Sequence, residues 1–176
     1  MQSRLWINLS LLALAVVLGL VIFSDAVDQK DEKLALSPMD PASIKRIEIQ
    51  RQGQTSLLLE KSNGKWMVTI PRKSPAEQRR VDALLKIPHS RSFTQYPVVQ
   101  EELSKFSLDP PKVTLILNNE SFHFGDVDPL QFKRYALVGQ TLHLVENTFY
   151  HHLIAVPDQY AETKQKVMGA EPDPQQ

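Results

Sequence analysis

The stretch "RIEIQRQGQTSLLLEKSNGKWMVTIP", residues 46–71, decides the fold. It holds three short runs rich in β-forming residues, separated by Gln52-Gly53 and by Asn63-Gly64. An Asn-Gly pair between alternating apolar runs is a strong hairpin signal, because both central residues of a type I′ turn need positive φ. Within each run the apolar residues recur two apart and share one strand face, to which Trp66 belongs. The stretch predicts a three-stranded antiparallel meander with a buried apolar face.

Helices and further strands are predicted after the meander. A helix is expected to start with Ser74 as N-cap, Pro75 as its first residue and Glu77 completing a capping box. A short second helix is indicated in "VVQEELSKFSL", and a last helix, capped by Asn147, in "TFYHHLIA". Four strands are expected between these two helices, in "KVTLILN", "ESFHF", "RYALVG" and "TLHLVE". The order predicts an α+β domain with a mostly antiparallel sheet: three-stranded meander, two helices, four strands and a C-terminal helix.

An uncharged run of 18 residues, Trp6 to Phe23, lies close to the N-terminus. As a helix it would reach about 27 Å, which just spans the hydrocarbon core of a bilayer. Arg4 precedes the run and several acidic residues follow it, so the positive-inside rule keeps the N-terminus in the cytoplasm. We therefore predict a single-pass anchor in a bacterial inner membrane, with the body of the protein in the periplasm.

The anchor has one competing interpretation, a cleaved signal peptide. Ser24 and Ala26 stand at the −3 and −1 positions of a small-residue cleavage site, but the apolar run exceeds the roughly 7 to 15 residues of a signal core. With a retained anchor, the expected organisation is a transmembrane segment at 1–24, a linker at 25–42, the α+β domain at 43–156 and a disordered tail at 157–176.

The composition excludes several classes of function. The 20 basic and 20 acidic residues cancel, so the chain lacks the positive field expected of a nucleic-acid-binding protein. It has no cysteine, which excludes disulfides, thiolate zinc sites and a cysteine nucleophile. It also lacks the Gly-x-Gly loops, the Gly-x-Ser-x-Gly elbow and the His-Glu-x-x-His helix of familiar enzymes. We therefore expect no catalytic activity and no cofactor.

The segment "FGDVDPLQFKRY", residues 124–135, carries Asp126 and Asp128 shortly before Arg134. A calcium loop starting at the first aspartate would need glycine at its sixth position and glutamate at its twelfth, and the chain has neither there. The second aspartate precedes a proline, which is ordinary turn chemistry. The segment is therefore interpreted as a hairpin connection over residues 125–133.

Two histidines stand near this segment on predicted strands. His123 and His143 each lie between apolar neighbours that are expected to face the core, so both are expected on the opposite face of the sheet, where they could converge with Arg134. Two imidazoles can bind zinc or copper, but a catalytic zinc generally needs a third protein ligand, and we assign no metal site. The sequence favours a contact surface made of His123, Asp126, Asp128, Arg134 and His143.

Four basic residues surround the start of the first predicted helix: Arg72, Lys73, Arg79 and Arg80. They could contact anionic lipid headgroups or a partner protein. The simpler interpretation is a solvated helix face.

Several segments come in an order that resembles a bacterial protein family. They are "IKRIEIQR", "LLLEKSNGKWMVTIP", "SPAEQRRVDALL", "LSKFSLDPP" and "FHFGD" followed by "RYALVGQTLHLV". The family is catalogued only as a domain of unknown function, and it also supplies domains to auxiliary subunits of gliding-motility-type ABC transporters. The resemblance covers most of residues 44–145, and its motifs are framework residues: Lys61, Trp66, Pro71, the Leu108 to Pro111 turn, Gly125 and Tyr135. It implies a membrane-tethered extracytoplasmic module attached to a transporter or envelope complex, and the family commonly has glycine where Ser107 stands.

These observations lead to one functional hypothesis and two alternatives. The hypothesis is a non-catalytic, single-pass, periplasm-facing domain that binds or positions an envelope membrane protein, as an accessory component of a cell-envelope or ABC-transporter complex. The first alternative is a module that binds a glycan, lipid or peptide in a concave patch on the sheet face opposite Trp66. The second is a metal-dependent hydrolase centred on His123, His143, Asp126 and Asp128.

Overall fold

The body of the chain is built on an antiparallel β-sheet. The computed structural model describes residues 34–162, and the predicted anchor at 1–24 lies outside them. The strands of the body are β1 (Arg46–Arg51), β2 (Leu57–Ser62), β3 (Lys65–Ile70), β4 (Ser74–Pro75), β5 (Ser92–Pro97), β6 (Val113–Leu117), β7 (Glu120–Val127), β8 (Arg134–Val138) and β9 (Thr141–Val145). Its helices are α1 (Gln78–Leu85), α2 (Tyr150–Leu153) and the 3-10 helices Pro41–Ser43, Ile87–His89, Gln100–Phe106 and Pro157–Tyr160. Within residues 34–162, none of the helices has the length and apolarity that a membrane span requires.

Two meanders meet at the centre of the sheet. In the described part of the chain the strand order is β4-β3-β2-β1-β6-β7-β8-β9-β5, and all neighbours are antiparallel. The strands β1 to β4 run outward on one side, and β6 to β9 run outward on the other. In the chain, helix α1 follows β4 and precedes β5, the strands at the two opposite edges of the sheet. Because β6 is central and covered on both faces, its sequence is apolar almost throughout.

The main core lies on the face of the sheet that the α-helices cover. Helix α1 packs onto it through Val81 and Leu84, and Tyr160 of the last 3-10 helix is fully buried there. Trp66 belongs to the same cluster. The other buried members are Leu36, Ile44, Ile47, Ile49, Leu57, Leu59, Val68, Ile87, Val113, Leu115, Leu117, Phe122, Phe124, Ala136, Val145 and Leu153.

A second, smaller cluster covers the opposite face at the β8–β9 end of the sheet. The 3-10 helix Gln100–Phe106 crosses this face and buries Leu103 against Leu137 and Leu142. Leu108 belongs to the cluster, and Tyr135 packs against it. The sheet is therefore covered on both faces at this end. The site described below lies on the face with the smaller cluster.

The α+β class and all seven predicted strands are confirmed. The structure of residues 34–162 is a mostly antiparallel sheet with few helices. The three strands of the meander and the four later strands form where the sequence predicts them. Asn63 and Gly64 have φ of 50° and 79°, as a type I′ turn requires. Ser107, where the resembling family commonly has glycine, has left-handed φ and ψ of 55° and 40°.

The predicted start of the first helix is wrong by several residues. Ser74 and Pro75 form the short strand β4 instead, where they pair with Val68 and Met67. The helix begins at Gln78, and its N-cap, Glu77, makes no side-chain cap hydrogen bond. The predicted capping box does not form, because the backbone of this segment makes its hydrogen bonds to β3 instead.

One strand of normal length was not predicted. The sequence patterns predict no element for "SRSFTQYP", yet its residues Ser92–Pro97 form β5 along β9. Its pairing shifts register between Ser92 and Thr94, so the residues do not alternate cleanly between faces. A bulged edge strand lacks the regular two-residue period on which a strand prediction depends.

The folded domain extends beyond both of its predicted boundaries, residues 43 and 156. Residues 157–162, assigned to the disordered tail, are ordered, and Tyr160 packs in the core. At the other end, Leu36 and Ser37 of the predicted linker are buried and donate backbone hydrogen bonds to Ser90 and Pro88. Asn147 does not cap the last helix, whose N-cap is Phe149. The remainder of the tail, 163–176, lies outside the described residues.

Candidate functional site

The strand register divides the two strand histidines between opposite faces of the sheet. His123 pairs with Leu137, whereas His143 pairs with Ala136. Directly paired residues of antiparallel strands point to the same face, and consecutive residues point to opposite faces. His143 therefore lies on the core face and His123 on the other, and the expectation that they converge is wrong. The error arose because β9 is buried on both faces, so its apolar neighbours did not mark the core side.

Arg134 and His143 are buried on the core face. Arg134 is 6% exposed, and its Nε donates to Oδ1 of Asn147 at 2.7 Å while Nη1 donates to the carbonyl of Gly125. Its guanidinium carbon lies 3.3 Å from the ring centroid of Tyr150. His143 is 4% exposed, and its Nδ1 lies 3.0 Å from the Ser92 hydroxyl. These contacts join strands to one another and leave neither side chain available to a surface ligand.

His123 is half-buried on the other face. Its Nδ1 lies 3.1 Å from the hydroxyl of Thr114 on the neighbouring strand, and burial lowers the pKa of the imidazole below its ordinary value. Among residues 34–162, no group of three or more His, Asp or Glu side chains is arranged to hold a metal ion. The residues named in the hydrolase hypothesis are thus not brought together, since His143 faces the core.

Asp126 is tied to the segment that follows the 100–106 helix. It pairs with the Lys112 ammonium and accepts a hydrogen bond of 2.6 Å from the Ser107 hydroxyl. These two hydrogen bonds, with Lys112 the larger cause, lower the pKa of Asp126. Asp126 therefore helps to hold the segment from Ser107 to Lys112, which follows the 3-10 helix, against the end of β7.

Asp128 organises the loop between β7 and β8. Its Oδ1 accepts hydrogen bonds from the backbone N–H groups of Leu130 and Gln131, at 2.9 and 2.7 Å, in an Asx-type turn. Its Oδ2 accepts a hydrogen bond of 2.7 Å from the hydroxyl of Tyr135. The Tyr135 hydrogen bond is the largest cause that lowers the pKa of Asp128, so its carboxylate is ionised at neutral pH. All three donors are neutral groups, and among residues 34–162 no cation lies within salt-bridge distance of Asp128.

The loop is shorter and more apolar at its tip than expected. The strand β7 continues through a bulge to Val127, so the connection spans residues 128–133 rather than 125–133. Leu130 and Phe132 at its tip are 86% and 75% exposed. Two large apolar side chains held in solvent by an ordered loop are unusual for a surface that contacts only water.

A concave pocket of about 370 Å³ lies beside this loop, on the sheet face opposite Trp66. Leu142, Leu144 and Tyr135 line it from the sheet. The ring of Phe106, whose centroid is 4.5 Å from that of Tyr135, lines it from the 3-10 helix. The remaining lining residues come from the end of β5, the start of the 3-10 helix and the loop: Tyr96, Pro97, Val98, Val99, Glu102, Leu103, Asp128 and Gln131.

The electrostatics of the pocket are one-sided. Among the described residues, its lining includes two carboxylates, Glu102 and Asp128, and no lysine, arginine or histidine. Glu102 is paired at 2.8 Å with Lys105 on the exposed surface, so the net negative charge comes mainly from Asp128. Burial, followed by the hydrogen bond to Asp128, raises the pKa of Tyr135 to about 12, and its hydroxyl stays protonated.

Sequence reasoning located part of this site and missed the rest. Asp128 is one of the predicted contact residues, and the ligand-binding alternative requires a concave patch on this face. The wall formed by Tyr96 to Val99 is not predicted, because no strand is predicted at β5. The aromatic and β-branched residues of "SFTQYP", ended by a proline, were the available signal for that edge strand. Comparisons of the chain with protein-family models, with curated proteins and with solved structures found no match.

Proposed function

We propose that this chain is a non-catalytic periplasmic binding domain, held in the inner membrane by its N-terminal segment, whose pocket receives an apolar peptide segment bearing a basic residue. The segment would belong to an envelope membrane protein. The observation that carries the proposal is the apolar pocket beside an exposed apolar loop tip, with an Asp128 carboxylate that pairs with no cation in the described part of the chain.

The shape and lining of the pocket suit a single large apolar side chain. Aliphatic and aromatic side chains supply most of its lining, and such concave apolar sites hold the anchoring residues of peptide partners. Val99 and Tyr96 at the rim are 50% and 44% exposed. Together with the loop tip they extend the apolar surface beyond the pocket, so that a peptide of several residues could be covered.

The sequence left three ligand classes open: a glycan, a lipid or a peptide. The charge of the pocket favours one of them. A phospholipid or other anionic lipid would bring its negative headgroup next to Asp128, which is unfavourable. A peptide with a lysine or arginine beside its apolar anchor would instead place a cation there. Peptide is therefore the ligand class that the pocket supports best.

The order of the loop favours binding without a large entropic cost. The three hydrogen bonds to the Asp128 carboxylate fix the loop before any ligand arrives. Its backbone is further closed by Asp128 N–H donating to the carbonyl of Lys133 at 2.7 Å. A preorganised site retains more of its contact energy as affinity.

The cellular setting of the proposal comes from the sequence. The charge asymmetry around the apolar run at 6–23 supports an inner-membrane anchor, and the framework motifs support a role beside a transporter or envelope complex. The missing enzyme motifs support a non-catalytic role.

A pair of matched peptides tests the proposed ligand. Full-length protein in nanodiscs of zwitterionic lipid is titrated with two end-capped peptides, Lys-Leu-Phe-Leu-Lys and Glu-Leu-Phe-Leu-Glu, while the amide signals of Gln131 and Val99 are followed by NMR. We expect saturable shifts with the lysine peptide and about tenfold weaker binding of the glutamate peptide.

Two variants locate the binding. Val99→Asn places a polar group at the rim, whereas Val156→Asn changes a valine of similar exposure, 56%, that does not line the pocket. We expect only Val99→Asn to weaken binding of the lysine peptide. Equal affinity for the two peptides, no saturable shift with either, or equal effects of the two variants would refute the proposal.

A further inference from the structure

A second concave surface lies around α1 and α2, and it is basic. Arg79 and Arg80 of α1 and His151 and His152 of α2 line an open depression of about 600 Å³. Glu77 is the carboxylate among its lining residues. This surface belongs to the helical layer on the core face, whereas the peptide pocket lies on the other face of the sheet.

The two arginines are weakly engaged within the protein. Arg79 meets Glu77 at 3.3 Å, but its side chain is 85% exposed, and exposed ion pairs of this kind contribute little. Arg80 lies 5.8 Å from the ring centroid of Tyr160 and has no carboxylate within salt-bridge distance among the described residues. Both guanidinium groups therefore keep donors available to an incoming anion.

The histidines add donors and an unmet hydrogen-bonding need. The ring centroids of His151 and His152 are 3.8 Å apart. Nδ1 of His151 lies 2.6 Å from the Thr148 carbonyl, which places a hydrogen on that nitrogen and leaves Nε2 as the other ring nitrogen. Nδ1 of His152 is buried and has no hydrogen-bond partner in the described part of the chain. Burial, followed by the proximity of His151 and Arg80, lowers the pKa of His152.

The adjoining surface continues the pattern. A neighbouring depression shares Arg79 and His152 and adds Lys86, with Asp82 as its carboxylate. The whole chain is electrically neutral, so this gathering of cations is local rather than a consequence of composition. A planar guanidinium fork matches the oxygens of a phosphate group, and two of them together can hold one such group from two sides.

We infer that the depression lined by Arg79, Arg80, His151 and His152 is a binding site for a phosphate group. The group is carried either by an anionic phospholipid headgroup or by a soluble phosphate compound. This site is independent of the peptide pocket, since it shares no lining residue with it.

The test follows the imidazole signals of the full-length protein by NMR at constant ionic strength and pH. In the first arm, protein in phosphatidylcholine nanodiscs is titrated with inorganic phosphate, with chloride as the control anion. In the second arm, phosphatidylglycerol replaces phosphatidylcholine and no phosphate is added. Saturable shifts of His151 and His152 in the first arm alone indicate a soluble ligand, and shifts in the second arm indicate a lipid headgroup.

Charge-matched variants complete the test. Arg79→Gln removes an exposed arginine with little risk to the fold, and Lys65→Gln removes one positive charge from an exposed residue of β3. We expect Arg79→Gln to weaken the response about tenfold and the double variant Arg79→Gln, Arg80→Gln to abolish it, with Lys65→Gln unchanged. Absence of saturable histidine shifts in both arms, or equal weakening by Arg79→Gln and Lys65→Gln, would overturn the inference.

Discussion

The hydroxyl of Tyr135 donates a 2.7 Å hydrogen bond to Oδ2 of Asp128, and this contact joins the floor of the pocket to the loop at its rim. Tyr135 lies on β8 and packs against the second cluster, so it is fixed by the sheet. Asp128 in turn holds the backbone of the loop. The position of the exposed loop tip therefore depends on a side chain that lines the pocket.

Removing this hydroxyl should loosen the loop without disturbing the sheet. In Tyr135→Phe we expect the pKa of Asp128 to rise toward its ordinary value of 3.8, because the largest cause that lowers it is lost. We also expect faster amide exchange at Gln131. Both are measured by NMR on the full-length protein. Tyr96→Phe, which changes another tyrosine of the pocket, is the control, and an unchanged Asp128 pKa in Tyr135→Phe would contradict the assigned role.

Gly125 should tolerate no side chain. A Cβ there would lie 2.0 Å from the carbonyl oxygen of Phe106 and 3.0 Å from the Leu108 side chain, so the segment that carries these two residues would have to move. We expect Gly125→Ala to lower the free energy of unfolding by roughly 2–3 kcal/mol in urea titrations. Gly53→Asn is the control: its site is open, and asparagine accepts the left-handed φ of 67°. Equal stabilities of the two variants would show that the close approach is not real.

Ser107 combines a left-handed backbone with a side-chain hydrogen bond to Asp126. Both Ser107→Ala and Ser107→Gly lose the hydrogen bond, but only glycine also relieves the steric cost of positive φ. We expect the alanine variant to be less stable than the glycine variant by about 1 kcal/mol in the same urea titrations. Identical stabilities would indicate that the left-handed conformation is not kept in solution.

Buried His143 should make the stability of the protein depend on pH. Burial lowers its pKa below 6.5 in the folded state, so the unfolded state binds the proton more readily. Its contribution is complete above about pH 6.5 and is lost as the pH falls through the folded-state pKa. His123 and His152, whose pKa values are also lowered by burial, act in the same direction.

We therefore expect His143→Gln to reduce the loss of unfolding free energy between pH 7.5 and pH 5.5. Glutamine keeps a polar group beside Ser92, and His89→Gln replaces a histidine at the protein surface as the control. Urea titrations at the two pH values measure the difference. A pH dependence as steep in His143→Gln as in the unmodified protein would exclude this residue as a cause.

Local sequence patterns were sufficient for most of the sheet. The Asn63-Gly64 turn and the alternation around it depend on neighbouring residues only, and the structure has them as predicted. The strand β6 lies between β1 and β7, and its almost wholly apolar sequence is typical of a central strand. The α+β class could be read for the same reason, because it depends on element types rather than on their exact ends.

Features that depend on distant pairing could not be predicted in this way. The β4 segment has the sequence pattern of a helix start, but it forms a strand because it pairs with β3. The β5 segment likewise forms a strand because it pairs with β9. The face of His143 depends on the register of β8 and β9, which the sequence of β9 alone does not determine because both its faces are buried. The candidate site was only partly predictable since its walls come from three separate parts of the chain.

The central claim, that the pocket face binds a basic apolar segment of an envelope protein, can be tested directly in cells. The chain has no native cysteine, so Leu130→Cys at the loop tip and Ile154→Cys, an exposed position that does not line the pocket, each carry a single thiol for a benzophenone-maleimide crosslinker. After irradiation, mass spectrometry identifies the crosslinked peptide. The account predicts that Leu130→Cys captures one membrane protein through an apolar segment with a lysine or arginine, and that adding Val99→Asn, but not Val156→Asn, removes the adduct. The same background adducts from both cysteine positions, or an adduct insensitive to Val99→Asn, would contradict it.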